Sequence, residues 1–261
     1  MLLAAPHAAR AQGEPVAAPI STDRPTEGLG AGTVSAGTFQ FETGWKLARA
    51  EGGGERLATH SFPDLLARVG IVDWLEARFT MNGWNVQDRT EVAAHAAASG
   101  FSDVSLGMKA TLAAEQGWRP KVGLLVDVSV PVGDAAFSNN TVIPKVLMLF
   151  QNGLSDRLGL IYNIGTSVGQ REVDDGGERT VVNPHYVATL TAAMTPRTSA
   201  FVEFFGNTPL ETEGVDTYTV QGGVVARVSN NTQFDARVGV GLVEAADDWV
   251  VGAGFSFRLP R

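Results

Sequence analysis

The charged residues of this 261-residue chain form a pattern that could act on a solute without any nucleophile. Arg68, Glu76, Arg78, Lys109, Asp127, Glu203, Arg227, Asp235 and Arg237 each hold a polar position in a stretch whose alternate residues are apolar. Glu42, Lys46, Lys145 and Arg258 do the same. Residues two apart in an extended chain share a face, so acids and bases are expected to line one common surface. Arg68 and Glu76 flank a short turn at nearly mirrored positions, and Lys109 and Asp127 fall on adjacent strands, so each couple is an expected ion pair. Around a wet lumen such charges brace the wall and select by size and field. On a solvated sheet they contribute only about 0–1 kcal/mol per pair.

Covalent chemistry has little to work with. The chain has no Cys, which removes thiol nucleophiles, disulfides, Cys-based zinc sites and iron–sulfur clusters. His60, His95 and His185 are scattered, and His185 is not followed two residues later by a serine. No His-Glu-x-x-His or Gly-x-Ser-x-Gly motif occurs. The run Gly28-Leu29-Gly30-Ala31-Gly32 has the wrong spacing for a dinucleotide fingerprint, and Asp174-Asp175-Gly176-Gly177-Glu178 reads as an exposed acidic loop tip rather than a calcium site. No catalytic residue, metal or cofactor is expected. A net charge of −8 also argues against a nucleic-acid partner.

The elements that must position the charges are strands. In 104–112, Val104, Leu106, Met108, Ala110 and Leu112 oppose Ser105, Gly107, Lys109 and Thr111. The same period of two recurs in 38–49, 75–83, 122–130, 158–168, 218–228, 234–242 and 249–259. Weaker versions occupy about 61–70, 144–154, 184–194 and 199–205, making twelve. A short helix is conceivable at 90–98, between two strong strand signals. Connections tend to alternate between short (near 73, 156, 196 and 230) and long (86–100, 131–143, 170–183 and 206–217). A transmembrane barrel has that asymmetry; a soluble sandwich has no reason to sort its loops by parity.

Two details favour lipid over a packed core on the apolar side. The apolar faces of the clear segments carry no charge, as they must when a Lys or Arg at the bilayer midplane costs about 2–4 kcal/mol. The polar faces are crowded with glycine, including Gly107, Gly123, Gly165, Gly239 and Gly254, which suits a concave interior better than a solvated surface. Trp45, Trp74, Trp84, Trp118, Tyr162, Tyr186, Tyr218 and Trp249 lie mostly near strand ends, where amphipathic rings meet the lipid boundary. The expected fold is all-β: a closed antiparallel up-and-down transmembrane barrel of about twelve strands over 38–261. Residues 1–11, with Ala9-Arg10-Ala11, read as the tail of a signal peptide, the plain alternative being an Ala-rich terminus. Residues 12–37 form an N-terminal segment expected at the periplasmic mouth or in the lumen, with Asp23, Arg24 and Pro25 as plug candidates, the alternative being a flexible leader.

Motifs along the chain resemble a known family. Ile20-Ser21-Thr22-Asp23-Arg24-Pro25 followed by Gly37-Thr38-Phe39-Gln40-Phe41-Glu42-Thr43-Gly44 is similar to the start of the outer-membrane "transporter" family labelled "putative meta-pathway of phenol degradation". Leu66 to Ile71 with Trp74 to Arg78, Gly100 to Val104 with Gly107-Met108-Lys109, Val130 to Asp134, and Val251 to Arg258 continue the resemblance over about 20–260. Thr26 departs from the acidic residue common after that proline, and the chain ends Leu259-Pro260-Arg261 rather than on an aromatic, so Phe255 and Phe257 are the candidates for reading by the barrel-insertion machinery. The resemblance implies an outer-membrane barrel passing small solutes passively, with aromatic or hydrophobic compounds as candidates, and with periplasmic termini and outer-membrane lipid as a partner. A closed structural or adhesive barrel, an outer-membrane hydrolase and a soluble sandwich are the rival expectations.

Overall fold

The computed structural model describes residues 18–52, 54–91, 94–172, 177–211 and 214–259. The signal-peptide remnant at 1–11, the first residues of the leading segment (12–17) and the acidic tip at 174–176 lie outside the described residues. Strand segments run β1 (Phe39–Gly52), β2 (Glu55–Val72), β3 (Leu75–Met81), β4 (Trp84–Thr90), β5 (His95–Phe101), β6 (Val104–Ala113) and β7 (Lys121–Val130). They continue as β8 (Ile143–Gly153), β9 (Leu158–Glu172), β10 (Glu178–Ala193), β11 (Thr198–Asn207), β12 (Thr217–Ser229), β13 (Thr232–Gly241) and β14 (Trp249–Leu259).

These fourteen segments make twelve staves. β3 and β4 are one ribbon that pairs in succession with the two halves of β2. Its break falls at Gly83, whose φ of 68° is a conformation that glycine adopts freely. β6 and β5 form the next stave, against β3 and β4. All neighbours are antiparallel, and β1 pairs with both β14 and β2, which closes the ring. Closure matters because hydrocarbon offers no hydrogen-bond partner to a free strand edge. Among the described residues β5 itself pairs only with β4. At its end the 131–142 connection is laced on instead: Asp134 N donates to the Phe101 carbonyl (2.9 Å), and Asp134 Oδ2 accepts from Phe101 N (2.6 Å).

The alternation turns the usual protein inside out. On β6 Leu106 and Met108 are 56% and 49% exposed, whereas Lys109 between them and Thr111 is fully buried. Val224, Val238 and Val240 likewise face outward, and Glu42, Glu76, Glu203 and Ser256 are sealed inside. A water-soluble sheet could not leave this much apolar surface bare; a lipid-embedded barrel must. Tyr186, Phe204 and Tyr218 stack on the outer face, with centroids 6.2–6.3 Å apart. The hydroxyls of Tyr186 and Tyr218 reach polar loop groups, Thr208 at 2.9 Å and Asp216 at 2.7 Å respectively. Rings at the apolar–polar boundary are arranged in this way.

Two local expectations fail. The stretch 90–98 is not helical: His95–Phe101 is strand, and the long loop expected at 86–100 shrinks to 91–94. The Ala-rich run carries little periodicity, and ladder pairing with β4, a non-local interaction, decides its state. Similarly β9 extends to Glu172 and β10 begins at Glu178, so most of the loop expected at 170–183 is wall.

The exterior reading predicts a depth-dependent penalty. Met108→Arg, in the middle of β6, should lower unfolding free energy by about 2–4 kcal/mol in guanidinium titrations in lipid vesicles. Trp118→Arg, in the exposed 114–120 connection, should shift it by less than about 0.5 kcal/mol. Equal effects at both sites would argue against a lipid-facing β6.

Candidate functional site

The barrel interior is occupied by the chain's own N-terminal segment. Residues 18–38 have no regular structure, so their buried N–H groups need acceptors from elsewhere. The wall supplies them as carboxylates, which accept strongly. Glu42 Oε2 on β1 accepts from both Asp23 N and Arg24 N (2.8 Å each). Glu203 on β11 accepts from Glu27 N (2.9 Å) and Gly28 N (2.8 Å), and Glu76 on β3 from Val34 N (2.7 Å). Asn163 on β9 takes Leu29 N (2.7 Å) and returns a bond to the Leu29 carbonyl (3.0 Å). Ala31 packs in a small apolar cluster with Leu125, Leu147 and Leu149.

Wall glycines leave room for this passage. A Cβ on Gly70 would overlap the Ser35 carbonyl, and one on Gly44 would overlap the Arg24 guanidinium. The glycine-rich polar face is therefore a matter of close approach at these positions.

At the centre three wall cations converge on one carboxylate of this segment. Asp23 Oδ2 lies 2.6 Å from Arg78 Nη1, 3.0 Å from Lys109 Nζ and 3.7 Å from Arg68 Nη1. Arg68 is also held by Glu76 (2.9 Å) and Glu42 (3.0 Å), and Glu76 touches Arg78 (2.8 Å) and Lys109 (3.5 Å). Lys109 donates besides to the Gly30 carbonyl at 3.2 Å. The set is neutral: Arg68, Arg78 and Lys109 against Asp23, Glu42 and Glu76. A second set joins Arg24 to Asp64 (2.5 Å) and Asp235 (3.5 Å), and a third joins Arg237 to Glu27 (2.8 Å).

Of the residues singled out from sequence, Arg68, Glu76, Arg78 and Lys109 thus meet at one point with Asp23. Asp235, Arg237 and Arg24 lie beside them, with the Pro25 carbonyl accepting from Arg237 Nη1 (2.9 Å). Glu203 stands apart, accepting from Thr189 and Gln221 as well as the segment. One expectation needs correction. Lys109 pairs with Asp23 and Glu76, not Asp127; Asp127 is opposite Gly107 and Lys145 in the ladder. Arg227 lies away from the cluster: it donates to the Pro196 carbonyl at 2.6 Å, in the turn region between β10 and β11, and lines an inner cavity of about 230 Å³ there. Sequence reading did not single out Asp64 or Asn163, which lie on polar strand faces, a usable signal. Glu27 is legible as a charge of the leading segment, but nothing in the sequence points to Arg237 as its partner.

Two cavities flank the segment. One, of about 450 Å³, opens toward the 131–142 connection and has Asp23, Arg24 and Leu29 with Arg78 in its lining. The other, of about 230 Å³, lies toward the β10–β11 turn, against Ile20, Thr22 and Pro25. Elsewhere on the inner wall Ser167 Oγ is 2.8 Å from His185 Nε2, and His185 Nδ1 contacts Asn207 Oδ1. β9, β10 and β11 bring these three residues together from distant positions in the chain.

The fold and this interior define a closed transmembrane barrel whose N-terminal segment is threaded through its own lumen. Residues 22–259 match the family described as "Putative MetA-pathway of phenol degradation", and the chain belongs to that family. No curated protein matches it in sequence. Among solved structures it resembles an outer membrane channel from Pseudomonas putida F1, at 12% identity and a TM-score of 0.70, covering 88% of this chain and 98% of that one. It also resembles the translocator domain of the autotransporter NalP from Neisseria meningitidis, at 11% identity and a TM-score of 0.59, covering 87% and 90%. The NanC porin is similar at 10% identity and a TM-score of 0.53, covering 85% and 100%.

The charge arrangement fixes a pH response. Burial alone would raise the Asp23 carboxyl, but Arg68, then Lys109 and Arg78, outweigh it and hold it far below the ordinary range. Glu27 is lowered too, because Arg237 outweighs burial. A depressed carboxyl stabilises docking fully above its free value, about 3.9 for Asp, and the contribution is lost as pH falls through the docked value. A spin label at Thr26→Cys should therefore stay immobilised from pH 7 to pH 5 and begin to loosen only below about pH 4.3, the free value of Glu. Loosening between pH 7 and 5 would contradict the depressed carboxyl.

Proposed function

We propose that the protein is a passive channel of the bacterial outer membrane for small solutes, held closed by residues 18–36. The observation that carries this reading is the position of Asp23 to Leu29 between the two cavities. Taken alone each cavity is large enough for a small molecule, and together with the segment's space they make one polar lumen. Charges on its wall would then select by size and field. The likeness in fold to the Pseudomonas putida channel supports the same reading. In the proposed orientation both termini are periplasmic, as in other barrels with an even stave number. The insertion machinery is proposed to read Phe255 and Phe257 of the last strand.

Solute class is the finer part of the proposal. The family description mentions phenol degradation, so small aromatics are natural first candidates. Liposome swelling with phenolics and sugars separates a pore from a closed structural barrel: the proposal expects swelling, and none with either class would favour the structural role. Deleting residues 18–36 should raise single-channel conductance severalfold. Unchanged conductance in a correctly folded deletion would remove the plug from the account.

One observation favours a second reading, hydrolysis. Ser167, His185 and Asn207 have the order of nucleophile, base and orienting group. The channel reading expects no labelling of the protein by a fluorophosphonate probe. Labelling that Ser167→Ala abolishes would move the assignment to an outer-membrane hydrolase.

A further inference from the structure

At the level of Arg68, Arg78 and Lys109 the wall, considered without its plug, is one anion short. Arg68, Arg78 and Lys109 come from β2, β3 and β6 and are all buried. The wall answers them with only Glu42 and Glu76. Asp23 makes up the deficit, and Lys109 depends on the plug most: its contacts are Asp23 (3.0 and 3.3 Å), the Gly30 carbonyl (3.2 Å) and, more distantly, Glu76 (3.5 Å). Removing one partner from a buried ion pair leaves an uncompensated charge, which is strongly unfavourable. The plug therefore cannot leave this point unless water or another anion takes over from its carboxylate.

From this we infer that Asp23 occupies a binding site for the carboxylate of a small organic anion, and that such a solute competes with Asp23 for Arg68, Arg78 and Lys109. The inference rests on the channel reading and names the solute class that reading leaves open. Geometry supports it in three ways. Two guanidinium groups and an ammonium present convergent donors, and guanidinium matches the flat shape of a carboxylate. Asp23 and Arg78 themselves line the 450 Å³ cavity, so an anion entering it meets the site directly. Lys46 and Lys145 line the same cavity and add positive field along the approach. Glu27, Asp64, Asp103 and Asp127 line it as well and offset the lysines, so the preference is set at the Arg78 end and not by the vestibule as a whole.

Asp23 is thus a built-in competitor. A carboxylate solute that displaces it leaves the wall neutral and weakens the hold on residues 22–29; a neutral solute of the same shape does not. Because the plug carries its anion on the same chain, its effective concentration at the site is high, and free carboxylates should bind the intact protein weakly.

The test is calorimetric titration of the refolded full-length barrel with benzoate, using benzamide as the uncharged isostere. Wild type should bind benzoate weakly. Asp23→Asn, which removes the competing charge with little change of shape, should bind it at least about tenfold more tightly. Benzamide should not distinguish the two proteins, and Lys109→Met in the Asp23→Asn background should abolish the gain. Benzoate binding no tighter in Asp23→Asn than in wild type, or an equal gain for benzamide, would overturn the inference. Should Asp23→Asn fail the heat-modifiability test of a folded barrel, deletion of residues 18–36 exposes the same cations and carries the same expectation. Binding is read without current: tight benzoate binding by a barrel that conducts nothing would uphold the site and defeat the channel reading, and conduction without anion binding would do the reverse.

Discussion

Hydrocarbon gives a peptide N–H or C=O no partner, and the rest of this molecule follows from that constraint. Inside hydrocarbon every stave must be paired on both sides, so the sheet closes where β1 meets β14; at the end of β5 the 131–142 connection takes the place of a second strand. Once the sheet is closed, the two-residue repeat assigns each side chain to lipid or lumen, and the apolar face goes outward. The polar face is then confined to a narrow interior. Charges placed there have little water around them and must find one another.

That second requirement explains the N-terminal segment. A wall holding three cations and two carboxylates at one level is incomplete, and Asp23 completes it. The exchange is mutual, because wall carboxylates also satisfy the backbone N–H groups of an irregular chain that could not otherwise be buried. Segment and wall are each unsatisfied alone. Their union fills the lumen between two cavities, and in the proposed channel this makes a single carboxylate the control point.

Much of this was legible in sequence, for physical reasons that can be named. The alternation in 104–112 identified which residues of β6 face lipid because strand period is a local property. Arg68 and Glu76 were matched because a tight turn fixes register over a few residues. Lys109 and Asp127 were mismatched because pairing by ladder neighbourhood ignores a third partner, and Asp23 comes from 86 residues earlier in the chain. The hairpin of β4 and β5 was missed because an Ala-rich run has no local preference strong enough to show its cross-strand partner. Ser167, His185 and Asn207 have no sequence spacing that marks them, since only registers between strands bring them together. Asp23 and Arg24 were visible as charges in a leader, but nothing local says that a leader turns inward.

The absence of Cys from the chain allows a direct test of whether that inward position closes the pore. Leu29 and Asn163 are joined by two hydrogen bonds across the lumen. Cysteines placed at both positions should be crosslinked in intact cells by a short, reducible bifunctional reagent. In planar bilayers the crosslinked protein should be locked at its lowest conductance, and cleavage of the linker should restore openings. Failure to crosslink in a folded barrel, or full openings with the linker intact, would contradict the account.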